Sequence, residues 1–197
     1  INDLVTATLY DMVGRPRETY EDPLAAAAAR TSVSTYDTQG RLLTAKNRRQ
    51  VADASLGSTL TAYDELGRAT KVTEASGTGA ASNTVTEFDN LDRVTCVQDG
   101  WTAGTCTAAS SGQTTLTGYD IGGRVTSIDD EFTCTTAAYD WRDLATQVVE
   151  GRTPGSPCTG SGTRTINAVY DALGRLTSRT VAGGDTLEAT TYDGAGR

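Results

Sequence analysis

The sequence predicts an all-β fold, a repeat array of antiparallel β-hairpins that form one long sheet. One observation is a recurring hexapeptide, Y-D-x-x-G-R, which occurs as YDMVGR at Tyr10, YDTQGR at Tyr36, YDELGR at Tyr63, YDALGR at Tyr170 and YDGAGR at Tyr192. Another is composition, because 35 of the 197 residues are threonine, which favours the half-buried surface of a sheet. Thr and apolar residues also alternate with a period of two before the hexapeptides, as in half-buried strands. A copied hexapeptide indicates a copied structural unit, so we expect a repeat protein.

The spacing of the units favours a sheet of hairpins over a strict solenoid. Successive aromatic anchors are 20 residues apart at the closest and 31 at the widest, whereas a solenoid has coils of fixed length. We expect a single array over residues 1–197, with about seven to eight units and both ends cut from a longer chain. The anchors are Tyr10, Tyr36, Tyr63, Phe88, Tyr119, Tyr139, Tyr170 and Tyr192.

Each hexapeptide predicts a hairpin turn. Asp at the first position and Gly at the fourth are preferences of a type I turn, and the Asp carboxylate can accept from backbone N–H groups two residues on. Gly supplies the positive φ of a bulge that closes the turn. Besides the aromatic anchors, the predicted turn residues are Asp11, Gly14, Arg15, Asp37, Gly40, Arg41, Asp64, Gly67, Arg68, Asp89, Arg93, Asp120, Gly123, Arg124, Asp140, Asp171, Gly174, Arg175, Asp193, Gly196 and Arg197.

The charged turn residues each allow a structural and a functional interpretation. Capping is expected for the aspartates, with a row of calcium sites as the alternative, although neither the EF-hand nor the Gly-Asp nonapeptide pattern occurs. The arginines are expected to pair with a nearby Asp or stack on an adjacent Tyr, with a cargo-binding face as the alternative. We therefore predict no metal ion and no cofactor.

Composition excludes several classes of function. The chain has no histidine, which removes Ser-His-Asp and Cys-His catalysis and His-ligated zinc. The net charge of −8 argues against nucleic acid as a partner, and no apolar run is long enough to predict a membrane span. Few large aliphatic residues and this charge also allow disorder, but the regular placement of Thr, Val and Tyr favours an ordered sheet with a thin core. We predict no catalytic residue and no enzymatic activity.

The recurrence of Y-D-x-x-G-R followed by Leu or Val resembles the YD-repeat, or Rhs (rearrangement hotspot), family over essentially the whole chain. The resemblance implies a long sheet that spirals into a hollow shell. In bacterial members, such as the shell components of Tc toxins and Rhs effectors, the shell often encloses a variable C-terminal toxin, and teneurins use a similar shell outside animal cells. The family's aspartyl autoprotease motif, DPxG, is not found here, so neither protease nor toxin is assigned to this chain.

Two units depart from the family pattern. FDNLDR has Phe88 in place of Tyr and Asp92 in place of Gly, and Asp tolerates the left-handed region better than most residues. YDWRDL keeps Tyr139 and Asp140 but has Asp143 and Leu144 where Gly and Arg belong. This second unit is expected to be the weakest of the array.

By this resemblance, the chain is expected to be a non-catalytic wall of a bacterial secreted or cell-surface protein. Its expected partners are the remainder of a longer chain and an enclosed C-terminal toxin or other cargo. The alternative is an extracellular adhesin or fibre segment that contacts neighbouring subunits or surface glycans. In that case an exposed Trp101 is the candidate sugar contact, although packing of Trp101 and Trp141 within their loops is the simpler expectation.

The four cysteines are the remaining candidate site. They are Cys96, Cys106, Cys134 and Cys158, with no C-x-x-C pair among them, so a zinc knuckle or redox motif is not indicated. An even count in a chain with an extracellular resemblance suggests disulfides. We expect Cys96–Cys106 and Cys134–Cys158, each closing one of the two longest spacers, with free thiols as the alternative.

Overall fold

The chain forms antiparallel β-sheet in which, within each of its two compact units, strands that follow one another in the chain lie side by side. This computed structural model describes residues 5–21, 29–106, 113–130, 132–151 and 162–193. The strands are β1 Thr6–Tyr10, β2 Pro16–Glu21, β3 Ala29–Tyr36, β4 Leu42–Lys46, β5 Ser58–Tyr63, β6 Ala69–Ser76, β7 Ser82–Phe88, β8 Val94–Asp99, β9 Thr114–Tyr119, β10 Val125–Asp130, β11 Cys134–Tyr139, β12 Ala145–Gly151, β13 Arg164–Tyr170, β14 Leu176–Val181 and β15 Thr186–Ala189. The predicted all-β class is confirmed.

The chain divides into two compact units. The first contains the described residues up to Glu87 together with Gln98–Gly104, and the second contains Phe88–Val97 and the described residues from Thr105 onwards. The single array over 1–197 stays a prediction.

Most of the turn hexapeptides join two strands through a bulge. In the Tyr36 hairpin the register between β3 and β4 shifts between Thr35 and Tyr36, and equivalent shifts occur beside Tyr10, Tyr63, Tyr139 and Tyr170. A bulge inserts one residue and increases the local twist. Pro16 begins β2, where its missing N–H costs little.

Neighbouring hairpins are paired in one constant register. The residue three positions after the last residue of a hexapeptide, which is the motif arginine except at Leu144, lies opposite the residue three positions before the next motif aromatic. In the first unit these pairs are Glu18–Val33, Thr44–Leu60 and Lys71–Val85. In the second unit they are Ser127–Thr136, Gln147–Asn167 and Ser178–Ala189. The register between neighbouring hairpins is therefore the same near the hexapeptides. The differences in spacer length are accommodated at the opposite ends of the strands.

One spacer contains a short helical segment in place of the strand and turn that the repeat pattern predicts. Helix α1, Arg48–Ala52, is followed by a 3₁₀ turn at Ala54–Leu56. The sequence signal was a capping box: the Asn47 side chain accepts from the backbone N–H of Gln50 at 3.1 Å, and the Gln50 side chain accepts from the backbone N–H of Asn47 at 3.0 Å.

Two segments whose Gly, Pro and Ser content predicts loops are partly strand. In the segment 75–83, Ser76 ends β6 and Ser82 begins β7. In the segment 151–165, Gly151 ends β12 and Arg164 begins β13, and residues 152–161 lie outside the described part. Asp and Pro at the start of the segment 22–30 predict a loop or one helical turn there, and this segment also lies outside the described part, apart from Ala29 and Arg30 at the start of β3.

The core of the described residues is thin. Its buried apolar residues are Cys96, Cys106, Cys134 and Ile166, and its buried polar residues are Glu18, Gln98 and Thr114. Such a sheet depends on many small cross-strand contacts, for example the hydroxyls of Thr19 and Ser32, which lie 2.7 Å apart. Among the described residues there is no helix with the length and apolar character needed to cross a membrane.

Candidate functional site: a ladder of Asp–Arg turns

The aspartate of each hexapeptide organises its own turn. In the Asp37 turn, Oδ1 accepts hydrogen bonds from the backbone N–H groups of Gln39 (3.0 Å) and Arg41 (2.8 Å). Oδ2 accepts from the Arg41 Nε–H at 2.6 Å. The backbone closes the same turn, because the Gly40 N–H donates to the Asp37 carbonyl at 3.0 Å and the Asp37 N–H donates to the Arg41 carbonyl at 2.9 Å. The carboxylate is thus fully used inside the turn.

The same closed pair recurs along the chain. The Nε–Oδ2 distance is 2.6 Å in each of the pairs Asp11–Arg15, Asp37–Arg41, Asp64–Arg68, Asp89–Arg93, Asp120–Arg124 and Asp171–Arg175. Tyr192 and Asp193 belong to a further hexapeptide, of which Gly196 and Arg197 lie outside the described residues. This use of the carboxylates favours capping over calcium binding, and no cluster of metal-ligating side chains occurs within the described ranges.

The fourth position of the turn adopts the left-handed conformation. Its φ is +85° at Gly14 and +88° at Gly40, and the positions that carry Asp92 and Asp143 have φ of +64° and +65°. Only Gly adopts this region freely, and Asp tolerates it because its short side chain bonds locally. The turn therefore survives in both departing hexapeptides.

The arginine of one hexapeptide also clamps the next hexapeptide. The Arg41 guanidinium lies over the Tyr63 ring, 4.6 Å from its centroid, and its Nη1 donates to the Asp64 carbonyl at 3.1 Å. In return the Tyr63 hydroxyl donates to the carbonyl of Leu42, the residue after Arg41, at 2.8 Å. We call this set of three contacts the Arg–Tyr clamp.

Contacts of the clamp recur within both units. Ring contacts of 4.2–4.9 Å join Arg15 to Tyr36, Arg93 to Tyr119, Arg124 to Tyr139 and Arg175 to Tyr192. Hydroxyl-to-carbonyl bonds of 2.7–3.0 Å join Tyr36 to Pro16, Tyr119 to Val94, Tyr139 to Val125, Tyr170 to Ala145 and Tyr192 to Leu176. One arginine therefore stabilises its own turn and fixes the adjacent one.

The YDWRDL turn is repaired by a displaced arginine. Arg142, two residues after Asp140, donates through Nε and Nη2 to Asp140 Oδ2, and its Nη1 donates to the Asp171 carbonyl at 2.6 Å. Asp143, in the glycine position, accepts from Arg124 Nη1 at 2.8 Å. The expected weak unit thus keeps both its internal ion pair and its bond to the next turn. The sequence signal was the basic residue two positions early.

Replacing Arg142 by Ala should therefore destabilise the protein although the Y-D-x-x-G-R pattern places no arginine there. We expect a loss of about 1–2 kcal/mol, because the Asp171 carbonyl and the Asp140 carboxylate lose donors. The matched control is Arg164→Ala, whose side chain is half exposed and lies 4.0 Å from Glu150, and which should cost little. The measurement is urea unfolding, and equal costs for both variants would contradict the repair.

Gly14 allows the cost of a positive φ to be measured without any steric clash from an added side chain. A Cβ on Gly14 would meet no atom within 4 Å, so Gly14→Ala should cost about 1–2 kcal/mol through its positive φ alone. Gly14→Asp should cost less, as Asp92 and Asp143 suggest. Gly79→Ala, also open but without a positive φ, is the control for thermal unfolding. A lower melting temperature for Gly14→Asp than for Gly14→Ala would contradict this account.

The turn geometry lowers the pKa of the capping carboxylates. For Asp11, Asp120 and Asp171 the largest cause is the hydrogen bond from the backbone N–H of the motif arginine, and the guanidinium adds to it. Burial raises the pKa of Asp37. The backbone and side-chain hydrogen bonds from Arg41 outweigh this effect, so the pKa of Asp37 is lowered overall. Asp129 has the opposite shift, because burial and the adjacent Asp130 raise its pKa.

These shifts predict instability in acid. A carboxyl whose pKa is lower in the folded state stabilises that state above its unfolded pKa, near 4, and loses this contribution as pH falls through the folded pKa. Since the chain has no histidine, we expect the melting temperature to be flat from about pH 5.5 to 8 and to fall below about pH 4.5. Asp120→Asn should flatten the acid slope, whereas Glu188→Gln in exposed β15 should not. Thermal unfolding followed by circular dichroism at each pH tests this, and equal slopes would contradict it.

The cysteines are oxidised where the structure describes them. The expected Cys96–Cys106 disulfide is present, with a Cα–Cα distance of 6.2 Å. Cys134 is also disulfide-bonded. Its expected partner, Cys158, lies outside the described residues, so that pairing stays a prediction.

Trp101 is packed, whereas Trp141 is exposed. The Trp101 indole N–H donates to the Gly104 carbonyl at 3.2 Å, and the Lys71 ammonium lies 4.8 Å from the ring centroid. Its backbone bonds Asn83 on both sides, through its N–H and its carbonyl. Trp141, at a turn tip, is 89% exposed. The candidate ring for sugar contact therefore already has Lys71 over one face, and the expected packing of Trp141 within its loop is wrong because its side chain lies in solvent.

Comparison with known proteins identifies a similar fold. No protein-family model matches the chain, and no curated protein matches it in sequence. A chain in the structure of the Photorhabdus luminescens Tc holotoxin pore with the TccC3-D651A mutation aligns over 98% of this chain at 14% identity, with a TM-score of 0.54. A chain in the crystal structure of TcdB2-TccC3-Cdc42 aligns over 98% at 16% identity, with a TM-score of 0.47. At these identities the first likeness shows the fold, a β-sheet class also found in a Tc toxin complex.

This chain spans only a small part of those neighbours. It covers 12% of the first aligned chain and 11% of the second. The activities and partners of the whole complexes are therefore not carried over by the alignment.

Proposed function

We propose that this chain is a section of β-sheet wall from a bacterial secreted or surface-exposed protein of the YD-repeat (Rhs) type. The wall has no catalytic role and binds no cofactor. Its task is to enclose or present something else, with the remainder of a longer chain and an enclosed C-terminal toxin or other cargo as partners. The observation that carries the proposal is the Arg–Tyr clamp, which joins successive hairpins in one register whatever the spacer length.

The clamp suits a wall because it uses its charged side chains internally. Arg41 and Asp37 satisfy each other and the next turn, so their chemistry is structural and is not directed at a substrate. A sheet of this kind can grow by adding hairpins without adding a large core. The likeness in fold to a chain of a Tc holotoxin structure is consistent with this role.

Two further observations support a secreted or surface location. A buried disulfide such as Cys96–Cys106 is typical of an oxidising compartment. The net charge of −8 favours solubility and disfavours nucleic acid.

The adhesin or fibre alternative receives less support. It relied on an exposed Trp101, but that residue is half-buried, Lys71 lies over its ring and its N–H is bonded to Gly104. Glycan-array binding that is lost on Trp101→Ala would favour the alternative and count against the wall.

The decisive experiment is protease protection in the full parent polypeptide. We expect a cargo segment to resist digestion in the intact protein and to become cleavable when Arg41→Ala and Gly67→Pro loosen adjacent turns. The control is Arg164→Ala, which touches no Arg–Tyr clamp. Cargo that is digested equally fast in the intact protein would overturn the proposal.

A further inference from the structure

An apolar trough crosses one face of the second unit. Its floor includes Ala137, Val148 and Ile166, which lie opposite one another on β11, β12 and β13. Two adjoining cavities of about 250 and 180 Å³ open on this floor, and both are lined by Ala145 and Val148. Together the cavities run across the strands from β10 to β14, which is about 19 Å at the usual spacing between neighbouring strands.

A departure from the repeat makes this part of the sheet apolar. The residue two positions before the motif aromatic carries a hydroxyl in most hairpins, namely at Thr8, Ser34, Thr61, Thr86, Thr117 and Thr190. In the two hairpins under the trough it is Ala137 or Ala168 instead. Ala137 lines the larger cavity and Ala168 lines the smaller one. Hydroxyls are therefore missing from the column at the place where the cavities open.

A cation lies at the β14 end of the trough. Arg179 lines the smaller cavity and faces Ala168 across β13 and β14. In other hairpins the residue at the place of Arg179 is uncharged, namely Thr19, Ala45, Val72, Ile128 and Val148. The Arg179 side chain forms no ion pair or hydrogen bond with any described residue, including Glu188 opposite it on β15. Its guanidinium is thus available to an anion.

The floor of the trough selects against a peptide as its occupant. Strands β11, β12 and β13 are each paired on both sides, so their backbone groups are used within the sheet and strand addition is not available there. A peptide laid across them would bury backbone polar groups without partners, which is costly. A hydrocarbon chain has no such groups, and an anionic group at one end would complement the charge of Arg179.

We propose that the trough binds a long-chain carboxylate of the fatty-acid type. The hydrocarbon chain lies across β10–β13 against Ala137, Val148 and Ile166, and the carboxylate accepts hydrogen bonds from the Arg179 guanidinium, whose fork matches carboxylate geometry. At about 19 Å the trough accommodates an extended chain of about 14–16 carbons. This binding site goes beyond the wall function, which requires no small ligand.

A competition experiment tests the head group and the chain separately. The fluorescent fatty acid dansyl-undecanoate is bound to the full parent polypeptide at pH 8, and it is displaced by dodecanoate, by decanoate or by the neutral dodecanol. The variants are Arg179→Gln, which removes the cation, and Ala137→Thr/Ala168→Thr, which restores the hydroxyls found elsewhere in the column. The matched control is Arg164→Gln on the same strand face as Ile166, because that guanidinium already lies 4.0 Å from Glu150.

We expect the unmodified protein to bind dodecanoate about 10-fold more tightly than dodecanol, because the carboxylate forms charge-assisted hydrogen bonds. Arg179→Gln should abolish this preference and leave dodecanol binding unchanged, whereas Arg164→Gln should preserve it. Decanoate should bind about 4-fold more weakly than dodecanoate, since an open trough buries roughly half of each methylene. Ala137→Thr/Ala168→Thr should weaken dodecanoate and dodecanol alike, by about 5-fold or more, because two polar groups then lie under the chain.

Three outcomes would overturn the proposal. Binding that none of the variants changes would mean nonspecific partition onto apolar surface. A preference for dodecanoate that survives Arg179→Gln would place the carboxylate elsewhere. Absence of binding by the parent polypeptide would mean that protein covers the trough, and the same titration of residues 1–197 alone would then separate a covered trough from one with no affinity. Circular dichroism of each variant excludes misfolding as the cause of a loss, and none of these failures affects the protease-protection test of the wall.

Discussion

Ile166→Ala should lower the free energy of unfolding by about 2–4 kcal/mol. Ile166 lies in β13, is 6% exposed, and faces Val148 on one side and Val181 on the other. It is the buried aliphatic side chain of the described residues, so truncation leaves a cavity that few neighbours can fill. Urea denaturation followed by tryptophan fluorescence and circular dichroism measures the change.

The matched control for this variant is Val169→Ala. Val169 is on the same strand, three residues away and on the opposite face, and is 55% exposed. Its truncation should cost less than about 1 kcal/mol, since exposed substitutions usually have small effects. Similar losses in the free energy of unfolding for the two variants would mean that the sheet face holding Ile166 does not form a stabilising core.

Removal of the Cys96–Cys106 disulfide should have an effect of comparable size. Both residues are buried and the bond spans a sequence separation of 10, for which the chain-entropy estimate is about 3 kcal/mol. The double variant Cys96→Ala/Cys106→Ala should therefore unfold at a clearly lower urea concentration. Cys96 is the third of the six residues of β8, so the bond attaches the loop after β8 to the middle of that strand.

A reductant provides the control for the disulfide. Wild-type protein unfolded in reducing buffer should lose stability, whereas the double variant should lose less because one of its disulfides is already absent. A variant as stable as the wild type in oxidising buffer would show that the loop after β8 is held by other contacts. Such a result would also weaken the argument for an oxidising compartment.

Several features of the site were predictable from the sequence because they are local. Asp37, Gly40 and Arg41 lie within five residues of one another, and the turn they form is closed by bonds among them. Such local contacts can be predicted from the sequence, because the turn requires Asp and Gly at fixed positions. The all-β class follows in the same way, from many short alternating segments rich in threonine.

Other features required the fold because they join residues that are distant in the chain. The sequence predicts that the arginine pairs with Asp or stacks on Tyr, and the structure shows that one guanidinium does both. The Arg41 Nε–H is directed to its own Asp37, while the flat face of the group covers Tyr63. Nor did the pattern show that Arg142 replaces the arginine missing at Leu144.

By itself the sequence determined that this protein is built from repeated hairpins whose turns are closed by Asp, Gly and Arg, since each turn depends on residues next to one another. Only the tertiary structure decided the constant register between hairpins and the arginine that reaches the next ring. The physical reason is that spacers of variable length do not encode which strand residues face each other. That choice is made by contacts between turns, and those contacts exist only once neighbouring hairpins lie side by side.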